Sequence, residues 1–154
     1  MKTLLLIIAL ISPLSAAEVG QVSPKLSTLV GGNIPNTAGK VVIVDFWASW
    51  CGPCKASFPA FNRLHDKYAS KGLVIIGIGV DDDAAKHAAF VTKTRPKFST
   101  VHDANKKAAA VFSPPAMPTT YIVDKKGVIR HVHEGFKGAK TEAAYTAEIE
   151  ALLK

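Results

Sequence analysis

The chain has 154 residues, which is enough for one domain with a buried core and too few for two comfortable ones. Its formal net charge at pH 7 is +7, from 19 Lys and Arg against 12 Asp and Glu. The basic residues are scattered and no aromatic side chains are interleaved with them, so the composition gives no support for nucleic-acid binding.

The first 17 residues have the pattern of a secretory signal peptide. Lys2 precedes an apolar run over residues 4–11, and the small residues 15–17 form a Ser-x-Ala exit. The apolar run is well short of the roughly 20 residues that a membrane span needs, so we expect cleavage after Ala17 rather than a membrane anchor. The domain then covers residues 18–154, with a net charge of +6 because one lysine and no acidic residue is removed.

The remaining elements are taken in chain order. The pattern predicts a loop with one short hairpin over residues 18–39, then a buried strand over 41–47, a helix over 53–70 and a buried strand over 73–80. A second helix follows the acidic run 81–83 and ends near 94, and it is followed by an extended piece over 99–102 and a helical turn or two over 104–112. The last part is predicted to contain a strand over 119–123, a turn over 124–127, a strand over 128–133, and a final helix after the loop at Gly135 and Gly138. Strands that alternate with helices, followed by a hairpin and a last helix, indicate an α/β fold with a central mixed sheet and helices on both faces.

The chain has two cysteines, Cys51 and Cys54, at the junction of a predicted strand and a predicted helix. A bond between them closes a ring of only four residues and would constrain the unfolded chain little. The close spacing of the two cysteines is therefore better explained by a reactive disulfide than by one that stabilises the fold. A helix N-terminus offers free N–H groups and a positive dipole end, which favour the thiolate. We therefore expect Cys51 to be the nucleophile and Cys54, one turn inside, to resolve the mixed disulfide.

A zinc site is the alternative interpretation of a C-x-x-C pair. Zinc needs two further ligands, and the chain has no third cysteine. His131 and His133 lie on one face of a predicted strand, but solvated histidines on an edge strand are the favoured interpretation. We predict neither a metal site nor a cofactor.

Three motifs together carry a resemblance to a known family. Residues 50–55, Trp-Cys-Gly-Pro-Cys-Lys, resemble the thioredoxin active site, residues 117–121 resemble the cis-proline loop that faces the dithiol, and Pro59 stands where thioredoxins kink the active-site helix. With the signal peptide, the Gly39-Lys40 lead-in and an extra strand-helix stretch after Val80, residues 22–153 resemble the exported TlpA/ResA-type branch. The resemblance implies a thioredoxin fold with a short N-terminal extension and a strand-helix insertion.

The resemblance also implies a substrate site beside the dithiol. A cis Met117-Pro118 bond would present the Met117 backbone N–H and C=O beside Cys51, where an extended substrate segment could pair with them. The residues expected to contact substrate are Trp50, Gly52, Pro53, Met117 and Pro118.

Asp45 interrupts a buried apolar strand, where a carboxylate is costly unless it is protonated or paired. The resemblance implies that it acts as a base on Cys54, and a purely structural aspartate bonded only to backbone is the alternative. Two departures matter: Gly77 stands where thioredoxins usually have a lysine, and Ser57 stands where cytochrome-maturation members have a glutamate. Ser57 puts a dedicated cytochrome-maturation role in doubt.

The sequence therefore predicts a periplasmic thiol-disulfide oxidoreductase. The Gly-Pro pair between the cysteines resembles reducing members of the family, so we expect a monomeric reductase of protein disulfides, supplied with electrons by a membrane protein and touching the membrane only through the signal peptide. The alternatives are a copper-delivering metallochaperone that uses the two cysteines and a histidine, and a thiol peroxidase. The peroxidase is disfavoured because residues 48–50, Ala-Ser-Trp, precede Cys51 without the expected threonine.

Overall fold

The computed structural model describes residues 17–154. The predicted signal peptide therefore lies outside the described residues, apart from Ala17. Ala17 is buried, and its N–H donates to the carbonyl of Phe112 at 3.3 Å.

A five-stranded mixed sheet forms the centre of the domain, with the strand order β3-β2-β1-β4-β5. The strands are β1 (Val41–Trp47), β2 (Leu73–Gly79), β3 (Ser99–His102), β4 (Thr119–Val123) and β5 (Ile129–Glu134). The helices are α1 (Gly52–Tyr68), α2 (Ala84–Thr94), α3 (Lys107–Phe112) and α4 (Ala139–Leu153), with short 3-10 turns at Leu26–Thr28 and Ala69–Lys71. Strands β1, β2 and β3 run parallel, β4 is antiparallel to β1, and β5 is antiparallel to β4. This confirms the predicted α/β class.

The central strand β1 is buried along its whole length, as its apolar, β-branched sequence predicts. Asp45 lies in the middle of it, paired with Gly77 of β2 on one side and Thr120 of β4 on the other. Because side chains alternate along a strand, Asp45 shares a face of the sheet with Ile43 and Trp47.

Each face of the sheet has its own hydrophobic core. The first core packs the face of Ile43 and Trp47 against α1, α2 and α4, and it includes both cysteines. The second core packs the opposite face against α3 and the N-terminal segment, through residues such as Leu26 and Phe112. Helices therefore cover both faces, and the dithiol belongs to the first core alone.

The hairpin expected within residues 18–39 does not form. Instead, Val22 makes an isolated antiparallel bridge to Val128, and the N–H groups of Gly20 and Ser23 donate to the carbonyls of Ile129 and Gly127. Residues 20–23 thus pair with residues at and just before the start of β5 instead of forming one arm of a local hairpin. Local turn residues predicted the turns but could not reveal this long-range pairing.

The other element boundaries agree with the prediction to within three residues. Pro59 lies inside α1, and Gly72 ends the following 3-10 turn with φ +105°, a left-handed conformation that favours glycine. Within residues 17–154, no helix is long and apolar enough to cross a membrane.

Candidate functional site

The two cysteines form a disulfide at the N-terminus of α1. Cys51 is the N-cap residue, Gly52 and Pro53 are the first two helical residues, and the Cys54 N–H donates to the Sγ of Cys51 at 3.2 Å. Proline fits there because a first-turn N–H has no partner within the helix. Cys51 is 5% exposed and Cys54 is fully buried, so the two sulfurs differ in their access to another protein.

The loop before Cys51 is held from the neighbouring strand. The Ser49 N–H lies 3.1 Å from each carboxylate oxygen of Asp81, and the Ser49 hydroxyl donates to Asp81 Oδ1 at 2.5 Å. Asp81 follows β2 and is 2% exposed. Asp83, in the same acidic run, caps the N-terminus of α2, but the anchoring of Ser49 by Asp81 was not predicted. The sequence did contain a signal for this contact, because Ser49 and Asp81 follow the predicted strands β1 and β2, and the carboxyl ends of adjacent parallel strands lie together.

The residues predicted to contact substrate lie around this loop and at the start of β4. Trp50 is 70% exposed directly before Cys51. Met117 is partly buried against the core that contains both cysteines, and the Met117-Pro118 peptide bond is cis. The backbone after Pro118 continues directly into β4, and the Pro118 carbonyl accepts from the Gly135 N–H at 2.7 Å.

Asp45 is 1% exposed and makes a side-chain hydrogen bond rather than only backbone bonds. Its Oδ1 accepts from the Thr120 hydroxyl at 2.7 Å, whereas Oδ2 is buried without a hydrogen-bond partner. Burial raises the pKa of Asp45 to about 8, and the bond from Thr120 opposes part of that rise. At neutral pH the Asp45 carboxyl is therefore mostly protonated, and it loses its proton as the pH rises through about 8.

The space that a lysine side chain would need near Asp45 is filled by an aromatic ring. A Cβ added at Gly77 would lie 3.0 Å from Nε1 of Trp47 and 3.4 Å from the ring of Phe98. Ser57, at the second departure from the family pattern, is buried, and its hydroxyl donates to the Cys54 carbonyl at 2.9 Å. Neither position brings a charge to the dithiol.

Two histidines that the sequence did not single out, His87 and His102, form an aromatic layer together with Trp47. His87 stacks on Trp47 at 4.9 Å between ring centres and on His102 at 4.6 Å. Burial lowers the pKa of His87, with the nearby His102 charge as a further cause. The His87 ring is therefore neutral at pH 7 and packs as an aromatic side chain.

The part of the chain that the structure describes contains no group of three or more His, Cys, Asp or Glu side chains arranged to hold a metal ion. His131 and His133 do lie on an edge strand, but they are not simply solvated. Each faces Glu148 of α4, with His131 Nδ1 at 3.4 Å and His133 Nε2 at 2.8 Å from its carboxylate oxygens. The two histidines, which were expected to be solvated, are thus paired with a carboxylate of the adjacent helix α4.

Sequence comparison identifies a family model and relatives of this chain. The model of the AhpC/TSA family matches residues 25–132. The thiol-disulfide oxidoreductase ResA of Oceanobacillus iheyensis is 32% identical over 118 residues, covering 77% of this chain and 57% of that protein. The thioredoxin-like protein YneN of Bacillus subtilis is 35% identical over 124 residues, covering 77% of this chain and 72% of that protein.

The fold has a similar relative among solved structures. A Chlorobium tepidum structure, described as a DsbE-type thiol:disulfide interchange protein, superposes with a TM-score of 0.80 at 28% identity, covering 90% of this chain and 100% of that one. The chain thus covers the whole of that solved structure, whereas it spans little more than half of the length of the Oceanobacillus protein. On its sequence, its sheet topology and its paired cysteines, the chain belongs to the AhpC/TSA family and, within it, to the thioredoxin-like thiol-disulfide oxidoreductases.

Proposed function

We propose that this protein is an exported reductase of protein disulfides, with Cys51 as nucleophile, Cys54 as resolving thiol and Asp45 as the base that serves Cys54. The observation that carries the proposal is the Cys51–Cys54 pair at the N-terminus of α1. Asp45 supports it, because its side chain projects from the sheet face against which α1 packs.

The first step is an attack by the Cys51 thiolate on a disulfide of the substrate protein. A bond forms between Cys51 and one substrate sulfur, the substrate S–S bond breaks, and the other substrate sulfur leaves as a thiolate that takes a proton from water. The helix N-terminus favours the attacking thiolate, and the burial of Cys54 keeps it out of this step.

The second step releases the substrate. Cys54 gives its proton to Asp45, and the resulting thiolate attacks the Cys51 sulfur. The Cys51–Cys54 bond forms, the bond to substrate breaks, and the second substrate sulfur leaves as a thiolate. The substrate gains two electrons and the protein loses two, so each cycle requires a dithiol or other two-electron donor, which we expect to be a membrane protein.

A substrate segment would lie across the dithiol edge. The exposed ring of Trp50 offers apolar contact area to a substrate. Gly52 and Pro53 form the start of α1 and have small side chains, so a substrate can approach the helix end closely. Met117 and Pro118, directly before β4, would border the substrate on the other side. An extended segment paired with backbone groups would suit substrates whose disulfides lie in loops or unfolded stretches.

The reducing direction is supported by the charges near the dithiol. The two residues between the cysteines carry no cation, and Asp45 lies buried on the same side of the sheet. A thiolate at this site therefore has no cation beside it in the motif, and the mostly protonated Asp45 does not supply one. The dithiol form is less stabilised than in a site that pairs its thiolate with a cation.

Export rests on the sequence of the first 17 residues. We propose that they are removed, leaving a monomeric domain over residues 18–154. N-terminal sequencing of the protein from a periplasmic fraction should begin at Glu18, and an N-terminus at Met1 in that fraction would contradict cleavage.

Reduction of insulin disulfides with dithiothreitol as electron donor tests the activity. The parent should accelerate the reaction and Cys51→Ser should abolish the acceleration. Reduced Cys54→Ser, mixed with insulin after dithiothreitol has been removed, should accumulate a stable mixed disulfide. Equal alkylation rates of Cys51 and Cys54 by iodoacetamide would contradict the assigned roles. Peroxide consumption or tight copper binding by the reduced protein, without insulin reduction, would favour the thiol peroxidase or the metallochaperone instead.

A further inference from the structure

Three buried side chains from three elements form a continuous chain of hydrogen bonds on the sheet face whose core contains the dithiol. The Tyr145 hydroxyl of α4 donates to Thr120 Oγ1 at 2.9 Å, and the Thr120 hydroxyl of β4 donates to Asp45 Oδ1 at 2.7 Å. Asp45 and Thr120 are each 1% exposed, and Tyr145 is fully buried. Buried hydroxyl chains of this kind polarise one another, so each bond strengthens the next.

The direction of the hydrogen bonds distinguishes the two oxygens of Asp45. A hydroxyl has one hydrogen, and Thr120 uses it on Oδ1 because its own oxygen already accepts from Tyr145. In the ionised form, Oδ1 is therefore already engaged as an acceptor. Oδ2 is then the oxygen open to an incoming proton, because it has no hydrogen-bond partner in the described structure.

Thr120 is also the main source of stabilisation for the Asp45 anion. Across residues 17–154, its hydroxyl is the one hydrogen-bond donor to the Asp45 side chain. No cation can enter from β2, because Gly77 pairs with Asp45 and Trp47 fills the adjacent space. Burial alone would hold Asp45 in its neutral form, in which it cannot accept a proton.

The other titratable groups near this chain come from every element packed on this face. They are Cys54 of α1, Glu148 of α4, whose charge acts on Tyr145, His133 of β5, whose ring contacts that of Tyr145 at 5.0 Å, and His87 of α2, which lies beyond Trp47. Glu148 is engaged by the two β5 histidines. None of them makes a hydrogen bond to Asp45 within the described residues.

We infer that Thr120 and Tyr145 are positioning residues for the thiol-disulfide exchange: they hold Asp45 by Oδ1, stabilise its charged form by hydrogen bonding, and leave Oδ2 to receive the Cys54 proton. This rests on the proposed role of Asp45. In this protein two hydroxyl groups carry out the tuning that a charged neighbour would otherwise provide.

A single-turnover reaction of the reduced protein with 5,5′-dithiobis(2-nitrobenzoate) separates the two chemical steps. Attack by Cys51 releases the first thionitrobenzoate at a rate that depends on reagent concentration. Attack by Cys54 on the mixed disulfide releases the second at a rate that does not. The pH profile of the second phase reports on the base that serves Cys54.

Thr120→Val should shift the midpoint of the second-phase profile upward by about one pH unit and slow that phase about tenfold at pH 7, because a hydrogen bond to a charged group is lost. The first phase should not change. Thr120→Ser keeps the hydroxyl and should retain the parent's midpoint. Tyr145→Phe removes only the outer donor and should shift the midpoint in the same direction by a smaller amount.

Asp45→Asn distinguishes failure of this inference from failure of the proposed function. If Asp45→Asn slows the second phase but Thr120→Val and Tyr145→Phe keep the parent's profile, the hydroxyl chain has no positioning role. If Asp45→Asn leaves the second phase unchanged, the base assignment itself is wrong. Should Thr120→Val fail to fold, a parent-like profile for Tyr145→Phe overturns the inference.

Discussion

At the scale of single residues, the burial of Asp45 makes the stability of the fold depend on pH. Its pKa is about 8 in the folded protein, against 3.8 for an exposed aspartate. The folded protein therefore binds this proton more tightly than the unfolded chain does. It follows that the free energy of unfolding decreases as pH rises from about 4 to about 8, and the decrease ends above the folded pKa.

Asp45→Asn removes this dependence while keeping the shape of the side chain. At pH 4 and below the variant and the parent should have similar free energies of unfolding, since Asp45 is then mostly protonated in both the folded and the unfolded parent. The variant should become progressively the more stable of the two as the pH rises toward 8, because the unfolded parent loses a proton that the folded parent retains. Urea unfolding of the oxidised proteins at pH 5, 7 and 9 measures the difference, and a constant difference across that range would contradict it.

Residue chemistry was predictable where it depends on neighbours in sequence. The spacing of Cys51 and Cys54, and the interruption of an apolar run by Asp45, are visible in the chain itself. The contributions of Thr120 and Tyr145 are not visible in the chain, because they depend on the register of β1 with β4 and on how α4 packs against the sheet. A threonine inside an apolar strand was the only signal, and threonine is common in strands for other reasons.

At the scale of elements, the two glycines of β2 allow the aromatic layer to approach the sheet. His87 of α2 packs directly over Gly79, where an added Cβ would overlap its ring, and Trp47 packs tightly over Gly77, 3.0 Å from an added Cβ. The His87 ring stacks on Trp47 and on His102, so any shift of it would disturb these contacts. The apolar pattern predicted β2 correctly, but it could not show why two of its last three residues are glycines.

Gly79→Ala should therefore destabilise the protein more than its matched control, Gly77→Ala. We expect a loss of about 1–3 kcal/mol for Gly79→Ala, as for overpacking of a core, and a smaller loss for Gly77→Ala, whose nearest contact is 3.0 Å. In a His87→Ala background the effect of Gly79→Ala should shrink, which a double-mutant cycle by urea unfolding can measure. Equal losses for the two glycines would contradict this packing.

At the scale of the whole molecule, the redox state and the stability of the fold are linked. The same two cysteines can form a disulfide in the folded protein and in the unfolded chain. If folding favours the disulfide form, the oxidised protein is the more stable one and the folded dithiol gives up its electrons readily. If folding favours the dithiol, the protein is an oxidant, since stabilising the reduced form is what makes a disulfide strongly oxidising.

The reductase proposal therefore predicts that the oxidised protein unfolds at a higher urea concentration than the reduced protein. The physical reason is the absence of a cation between the cysteines together with the buried carboxyl of Asp45. Urea unfolding of both forms at pH 7, with dithiothreitol present for the reduced form, measures the order. A more stable reduced form would exclude the reducing direction and leave the exchange chemistry intact.

The overall topology was predictable because two specific motifs, far apart in sequence, matched a family whose fold is known. Periodicity alone predicted the strands and helices but carried no information on strand order. The N-terminal segment shows the limit of that approach, since its bridge from Val22 to Val128 joins parts of the chain more than a hundred residues apart. Such pairings depend on the completed sheet rather than on local sequence.

The two tryptophans of the chain both lie beside the dithiol, and they have opposite exposure. Trp47 is fully buried against the aromatic layer, whereas Trp50 is 70% exposed. The tryptophan fluorescence of the protein, excited apart from that of its three tyrosines, thus comes from residues close to Cys51 in the chain. Acrylamide should quench the red-shifted emission of Trp50 and spare Trp47, and a peptide that docks on the site should protect Trp50. Substrate docking can be followed optically in the unlabelled protein.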